Sequence, residues 1–177
     1  YSWQPFSNQI DNYKKNQNLY KNSLGNKIVF EEINHTIGLT FLYSWQASAK
    51  YGFVKKTKLI NHSGKKLNVK LIDGLRNILP AGVSLRTQQE MSNLANAYKV
   101  SECNSDYNYA LYYMNALLMD KPDPGESLFS NIVWSHSSDN IELSVNEKSI
   151  STFLSSNEFE KDHLLKGKEG SFLNYIQ

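Results

Sequence analysis

From Ile37 to Trp45 large apolar side chains fall at every second residue: Ile37, Leu39, Phe41, Tyr43 and Trp45, with Gly38, Thr40, Leu42 and Ser44 between them. Strand side chains alternate between faces with a period of two, so this is the pattern of a half-buried β-strand; a helix would scatter the same residues around its circumference. Ile28 and Phe30 begin the same alternation just upstream. A strand with one apolar face needs neighbours to satisfy its backbone and a second layer to cover that face.

The rest of the chain supplies both. Residues 51–60 and 66–75 form two more extended runs, separated by Asn61-His62-Ser63-Gly64-Lys65, whose Asn, Ser and Gly carry turn chemistry. A hairpin is expected there, with Leu67, Val69 and Leu71 buried and Asn68, Lys70, Lys56 and Lys58 in water. After Pro80-Ala81-Gly82 the period changes. Met91, Leu94, Ala95 and Tyr98 are spaced i, i+3, i+4 and i+7, and Thr87 with Glu90 makes a capping box, which predicts one helix over 85–99 with Met91, Leu94 and Tyr98 inaccessible.

Strands resume over 109–119, over 128–135 beyond the Pro122-Asp123-Pro124-Gly125 turn, through Ile141, Leu143 and Val145, and over 149–154 after a turn at 146–148. Short strands around a single helix predict a mainly β protein, an antiparallel β-sandwich with one covering helix around 85–99. The expected organisation is an irregular segment over 1–26 with room for one short strand, a sandwich domain over 27–154, and a charged exit segment over 155–177 leading toward a further domain.

At 177 residues, such a chain buries roughly 70% of its unfolded surface, so its core needs neither disulfide nor metal. The single Cys103 has no internal partner and says nothing about a redox compartment. With 19 Lys and Arg against 17 Asp and Glu the net charge is +2, too small to give a general field that steers nucleic acid or anionic membranes, so neither partner is expected. No apolar run approaches the roughly 20 residues that span a bilayer. Neither nucleic acid nor a membrane span is expected.

Nucleotide-binding GxGxxG and P-loop signatures, the GxSxG nucleophile elbow and HExxH are all missing from the sequence. His35, His62, His136 and His163 sit near predicted turns or strand ends and read as loop histidines, so neither a metal site nor a cofactor is expected. Glycosidase chemistry takes two carboxylates, and the candidates are Asp73, Glu90, Asp106, Asp120, Asp123 and Glu126. Asp73 stands apart from the others because it closes an apolar strand in Leu71-Ile72-Asp73-Gly74-Leu75-Arg76-Asn77. There Gly74 permits an unusual backbone and Arg76 is placed to pair with the carboxylate, a structural ion pair before a catalytic one. Trp45 continues a buried face, whereas Trp134 ends a strand and, with His136 beside it, is placed to face a cleft. The candidate substrate-binding set is therefore Trp134, Asp73, Arg76 and His136, with no catalytic residue.

Tyr43-Ser44-Trp45, then Tyr51-Gly52-Phe53-Val54-Lys55, the stretch Leu59 to Gly64 and the stretch Leu67 to Gly74 form a succession of strand ends. Over roughly Phe41 to Pro80 this resembles the N-terminal β-supersandwich of large glycan-active enzymes, the cellobiose-phosphorylase-like group with a galactose-mutarotase-like fold. The resemblance implies a sandwich that packs against an (α/α)₆ barrel carrying the catalytic carboxylates, and that barrel is not in this sequence. No catalytic residue carries over. The expectation is an accessory, non-catalytic domain of a larger carbohydrate-active protein, a glycoside hydrolase or phosphorylase. Its partners would be carbohydrate and a downstream catalytic domain, with a periplasmic or extracellular location favoured. The alternative is a free-standing sandwich module that binds a glycan or a protein.

Overall fold

The computed structural model describes residues 1–8, 12–116 and 128–177. Its contacts divide the chain into two compact units, residues 1–67 and 68–177, at a boundary that falls inside the expected 27–154 domain.

The first unit is an antiparallel meander of β1 (Lys15–Lys21), β2 (Lys27–Asn34), β3 (Leu39–Ser48) and β4 (Gly52–Asn61), in that spatial order. The alternation read from Ile37 to Trp45 is realised in β3. Phe30 lies opposite Tyr43 and Glu32 opposite Phe41, so these four side chains share one face. Residues 1–8 lie across that face. The Trp3 ring meets Phe41 edge-on at 6.5 Å, Phe6 meets Tyr43 edge-on at 5.3 Å, and Phe30 and Tyr43 stack at 4.7 Å. Edge-to-face and offset contacts of this kind add to the apolar area they bury.

The Asn61–Lys65 turn forms as its chemistry suggests: the Asn61 carboxamide oxygen accepts from the Ser63 N–H at 2.9 Å, and its nitrogen donates to the Lys65 carbonyl. The expected hairpin does not follow. β4 pairs with β3 and forms the edge of its sheet, residues 66–70 lie outside any strand, and the next strand begins at Leu71 in the second unit. A turn fixes local chain direction only, and a strand bearing Lys55, Lys56 and Lys58 is suited to remain an edge.

The second unit contains β5 (Leu71–Ile78), α1 (Leu85–Glu90), α2 (Ser92–Asn96), β6 (Lys99–Asn104), β7 (Tyr109–Met114), β8 (Ser130–Trp134), β9 (Ile141–Ser144), α3 (Lys148–Ser156), β10 (Leu164–Lys166) and β11 (Gly170–Ile176). Two antiparallel sheets, β10-β6-β7-β8 and β5-β11-β9, pack face to face, so the mainly β, sandwich-type fold class holds. Ala110, Tyr112 and Leu165 from one sheet meet Leu143 and Phe172 from the other, with Val145 just past the end of β9. The buried Tyr112 hydroxyl donates across the interface to the Ser171 carbonyl at 2.8 Å. At Gly170 the approach is so close that a Cβ would lie 2.2 Å from the Ser101 hydroxyl oxygen and 2.8 Å from the Tyr112 ring. The Pro122–Gly125 turn and residues 117–119 lie outside the described residues.

Three local expectations are corrected. The helical segment is where the periodicity put it, but as two short helices broken at Met91, whose φ is −133°. Ser84, not Thr87, caps the first, its hydroxyl accepting from the Thr87 N–H at 3.0 Å. Met91 and Leu94 are 52% and 50% exposed, Tyr98 is half-buried, and Ala95 is the buried position. What the segment covers is polar. Lys99 is buried, and its ammonium donates to Asn96 Oδ1 and to Glu169 Oε1, both at 2.7 Å, and to Gln88 Oε1, so Gln88 and Asn96 face inward in place of the apolar pair.

Residues 149–154 form α3 rather than a strand, because Ser149, Ile150, Thr152 and Phe153 gather on one helical face and Asn157 ends it in the left-handed region at φ 58°. The segment 155–177 is not a bare exit. It supplies β11, the central strand of its sheet, with Phe172 buried toward the other sheet and Tyr175 packed on Phe153 and Phe159. No helix among the described residues is long and apolar enough to cross a membrane.

Candidate functional site

Along β7 the side chains divide cleanly. Ala110, Tyr112 and Met114 are buried toward the sandwich interior, which leaves Tyr109, Leu111 and Tyr113 half-buried on the outer face. Register carries the pattern to the neighbouring strands. Trp134 lies opposite Tyr109 and Ile132 opposite Leu111 on β8, while Asn104 and Glu102 lie opposite Tyr109 and Leu111 on β6. On the far side Leu164 of β10 pairs with Glu102. The outer face is thus a band of aromatic and aliphatic groups with one carboxylate set into it.

A cleft of about 270 Å³ opens on this face, lined by Glu102, Asn104, Tyr109, Leu111, His163 and Leu164. The Tyr113 hydroxyl donates to Glu102 Oε2 at 3.4 Å. Partial burial first, and the neighbouring carboxylate second, raise the Tyr113 hydroxyl above its ordinary pKa, so it remains a donor at neutral pH. His163 Nε2 lies 3.3 Å from the Ser105 hydroxyl, and the Asn104 carboxamide oxygen accepts from the Tyr107 N–H, which fixes the turn behind the cleft. Cys103 also borders it, but burial pushes its thiol up to about 11, which suppresses the thiolate a nucleophile requires.

The four candidate residues fall on two different sheets. Trp134, 51% exposed, ends β8 beside Tyr109, and the exposed His136 follows just past the strand end. Asp73 and Arg76 lie on β5 in the other sheet. The Arg76 guanidinium donates to Glu147, the residue preceding α3, and the Asp73 carbonyl accepts from Asn174 Nδ2 at 3.4 Å. Gly74 has a different reason from backbone freedom: a Cβ there would sit 2.0 Å from the Phe172 carbonyl oxygen on the paired strand. Glu90 is engaged by Arg86 on the solvated side of α1, and Asp120, Asp123 and Glu126 lie outside the described residues.

The groups not picked out from sequence are Glu102, Asn104, Tyr109 and His163. Their signal was the two-residue spacing of Tyr109, Leu111 and Tyr113, which leaves an aromatic face wherever the intervening residues are buried. A second cleft of about 580 Å³ in the first unit is lined by Ile33, Thr40 and Ile60 with His35 and His62, which brings two of the four histidines together. Among the described residues no three His, Cys, Asp or Glu side chains are grouped so as to hold a metal ion.

No protein-family model matches the chain, and no curated protein matches it at a significant level.

Proposed function

We propose that the chain is an accessory, non-catalytic β-sandwich of a larger carbohydrate-active protein and that it holds a neutral glycan against the outer face of the β10-β6-β7-β8 sheet. The supporting observation is the cross-strand pair Tyr109 and Trp134 beside the Glu102, Asn104 and His163 cleft. The C–H faces of a sugar ring are apolar, and an aromatic ring presented on a rigid sheet buries them with little loss of side-chain freedom. Its hydroxyls then find an acceptor in Glu102 and donors in the Asn104 amide and the imidazole.

Calorimetric titration with a panel of neutral oligosaccharides tests this. Trp134→Ala is expected to weaken binding at least tenfold with unchanged unfolding, and Asp73→Ala to leave binding intact. Titration heats that are flat for every glycan, or unaltered by Trp134→Ala, would reject the reading. A second reading, a protein partner on the same face, draws on Leu128 and Phe129, which are 85% and 73% exposed immediately before β8. It predicts the same loss with Trp134→Ala but against a polypeptide, with all oligosaccharides silent.

A further inference from the structure

The two units carry opposite charge. Residues 1–67 hold ten lysines and three carboxylates, a formal charge of +7, while residues 68–177 hold nine basic and fourteen acidic residues, a formal −5. The whole-chain value of +2 conceals that separation. Within the first unit two of the three carboxylates do little to offset the lysines at the surface. Glu32 is buried, and Glu31 accepts from Asn18 Nδ2 at 2.8 Å and from the Tyr20 hydroxyl at 2.9 Å.

The meander places its β1–β2 and β3–β4 turns at the same end of the sheet, where the register runs Lys21 opposite Ile28, Lys27 opposite Gln46 and Ser48 opposite Gly52. Both turns present large apolar groups to solvent: Leu24 is 82% exposed on the first, and Phe53, 84% exposed, adjoins Tyr51 on the second. Exposed lysines flank them at Lys21, Lys27 and Lys50. Neither turn is a loose end. Asn22 Oδ1 accepts from the Lys27 N–H at 3.0 Å, and the Ser48 hydroxyl accepts from the Lys50 and Tyr51 N–H groups at 3.3 Å. Glycines at φ 70° and 67°, Gly25 and Gly52, close the two turns.

We infer that this end of the first unit docks on an anionic phospholipid bilayer, with Leu24, Tyr51 and Phe53 entering the boundary between headgroups and acyl chains and Lys21, Lys27 and Lys50 lying at the phosphates. Apolar tips ringed by lysine suit that boundary: the tips bury area, and the lysine stems reach along it while the ammonium groups stay wet. Charge complementarity selects an anionic surface, and the aliphatic Leu24 selects lipid over nucleic acid, since it offers no face to a base. The aromatic sheet face of a kind that stacks bases, Phe30, Phe41 and Tyr43, is already covered by Trp3 and Phe6.

Co-sedimentation of the full chain with vesicles of phosphatidylserine in phosphatidylcholine, against phosphatidylcholine alone, tests the inference. Retention is expected on the first and not the second, and it weakens as salt is raised. The triple variant Lys21→Gln, Lys27→Gln, Lys50→Gln should lower partitioning about a hundredfold, at about fivefold per lysine. Leu24→Ser with Phe53→Ser should lower it at least tenfold. As a readout independent of those variants, Phe53→Trp should add a blue-shifted emission on the anionic vesicles. The inference is overturned by equal retention on both vesicle types, by retention on neither, by a Phe53→Trp emission that vesicles leave unchanged, or by capture of a single-stranded oligonucleotide where vesicles are not bound.

Discussion

In the first unit the buried charge is Glu32, and among the described residues the donors reaching it are neutral: Trp3 Nε1 at 2.7 Å, the Phe6 backbone N–H at 2.8 Å and Gln17 Nε2 at 2.7 Å. In the second it is Lys99, which faces a formal counter-charge on Glu169 together with the Gln88 and Asn96 amides. The two solutions tie different things together. Glu32 holds residues 1–8 over a single sheet and keeps Phe6 in the left-handed region at φ 61°, a conformation that a non-glycine residue adopts only under constraint. Lys99 joins the helical connection between β5 and β6 to the residue that precedes β11. A charge satisfied by dipoles loses one hydrogen bond when a partner is removed; a charge satisfied by an opposite charge leaves an uncompensated ion behind.

The largest expected effect follows from that difference. Lys99→Met should cost about 3–5 kcal/mol, measured by denaturant unfolding, because the Glu169 carboxylate and two inward amides lose their common partner. Adding Glu169→Leu should recover much of the loss, and a single variant costing under about 1 kcal/mol would erase the contrast. Next, Glu32→Gln should cost about 1–3 kcal/mol, since the new amide nitrogen confronts donors that need an acceptor. A cost equal to that of Lys99→Met would mean that neutral and ionic shells are equivalent here. Trp3→Phe keeps the aromatic contact and removes one donor, for about 1 kcal/mol.

Acid sharpens the comparison from one side. The Lys99 hydrogen bond, outweighing desolvation, holds the Glu169 carboxyl below its ordinary value. With the folded value below the unfolded one, its contribution is fully present above the ordinary glutamate value of about 4.3 and is lost as pH falls through the folded value. Thermal melts from neutral to acidic pH should therefore show a decline that Lys99→Met flattens. The smallest expected effect is on stability in Trp134→Ala, within about 0.5 kcal/mol by the same unfolding assay, since that side chain sits on the solvated face.

Sequence patterning revealed strands as alternating or extended apolar runs. β3 was legible because its apolar side chains alternate, although Thr40 and Ser44 on its other face are buried as well, and β7 was legible only as an extended apolar run whose one-sided burial appears in the fold. β11 was not, for it is covered on both faces and Ser171-Phe172-Leu173 shows no alternation to read. The same limit hid Lys99: helical periodicity assumes that the inward face is apolar, and here it is built to accept an ammonium hydrogen bond. Of the candidate site, Trp134 was legible as a strand end, whereas Glu102 and His163 come together only when β6, β7 and β10 assemble from distant parts of the chain. Pairing partners were the least legible of all, and the Asn61–Lys65 turn led to a hairpin that the chain does not make.

That β11 is central to its sheet has a consequence for the order of assembly during synthesis. All four strands of the first unit, and the residues that cover them, are available once residue 67 has emerged, so the meander can close while the ribosome is still translating the second unit. The second unit has no such head start. β5 and β9 each pair with β11 and not with each other, so two strands separated by more than sixty residues wait for the same late partner. Until it arrives, Leu143 and the inner face of β7 lack the Phe172 side that buries them. An unclosed second unit leaves unpaired strand edges and apolar surface open, the condition under which a nascent chain is most exposed to aggregation.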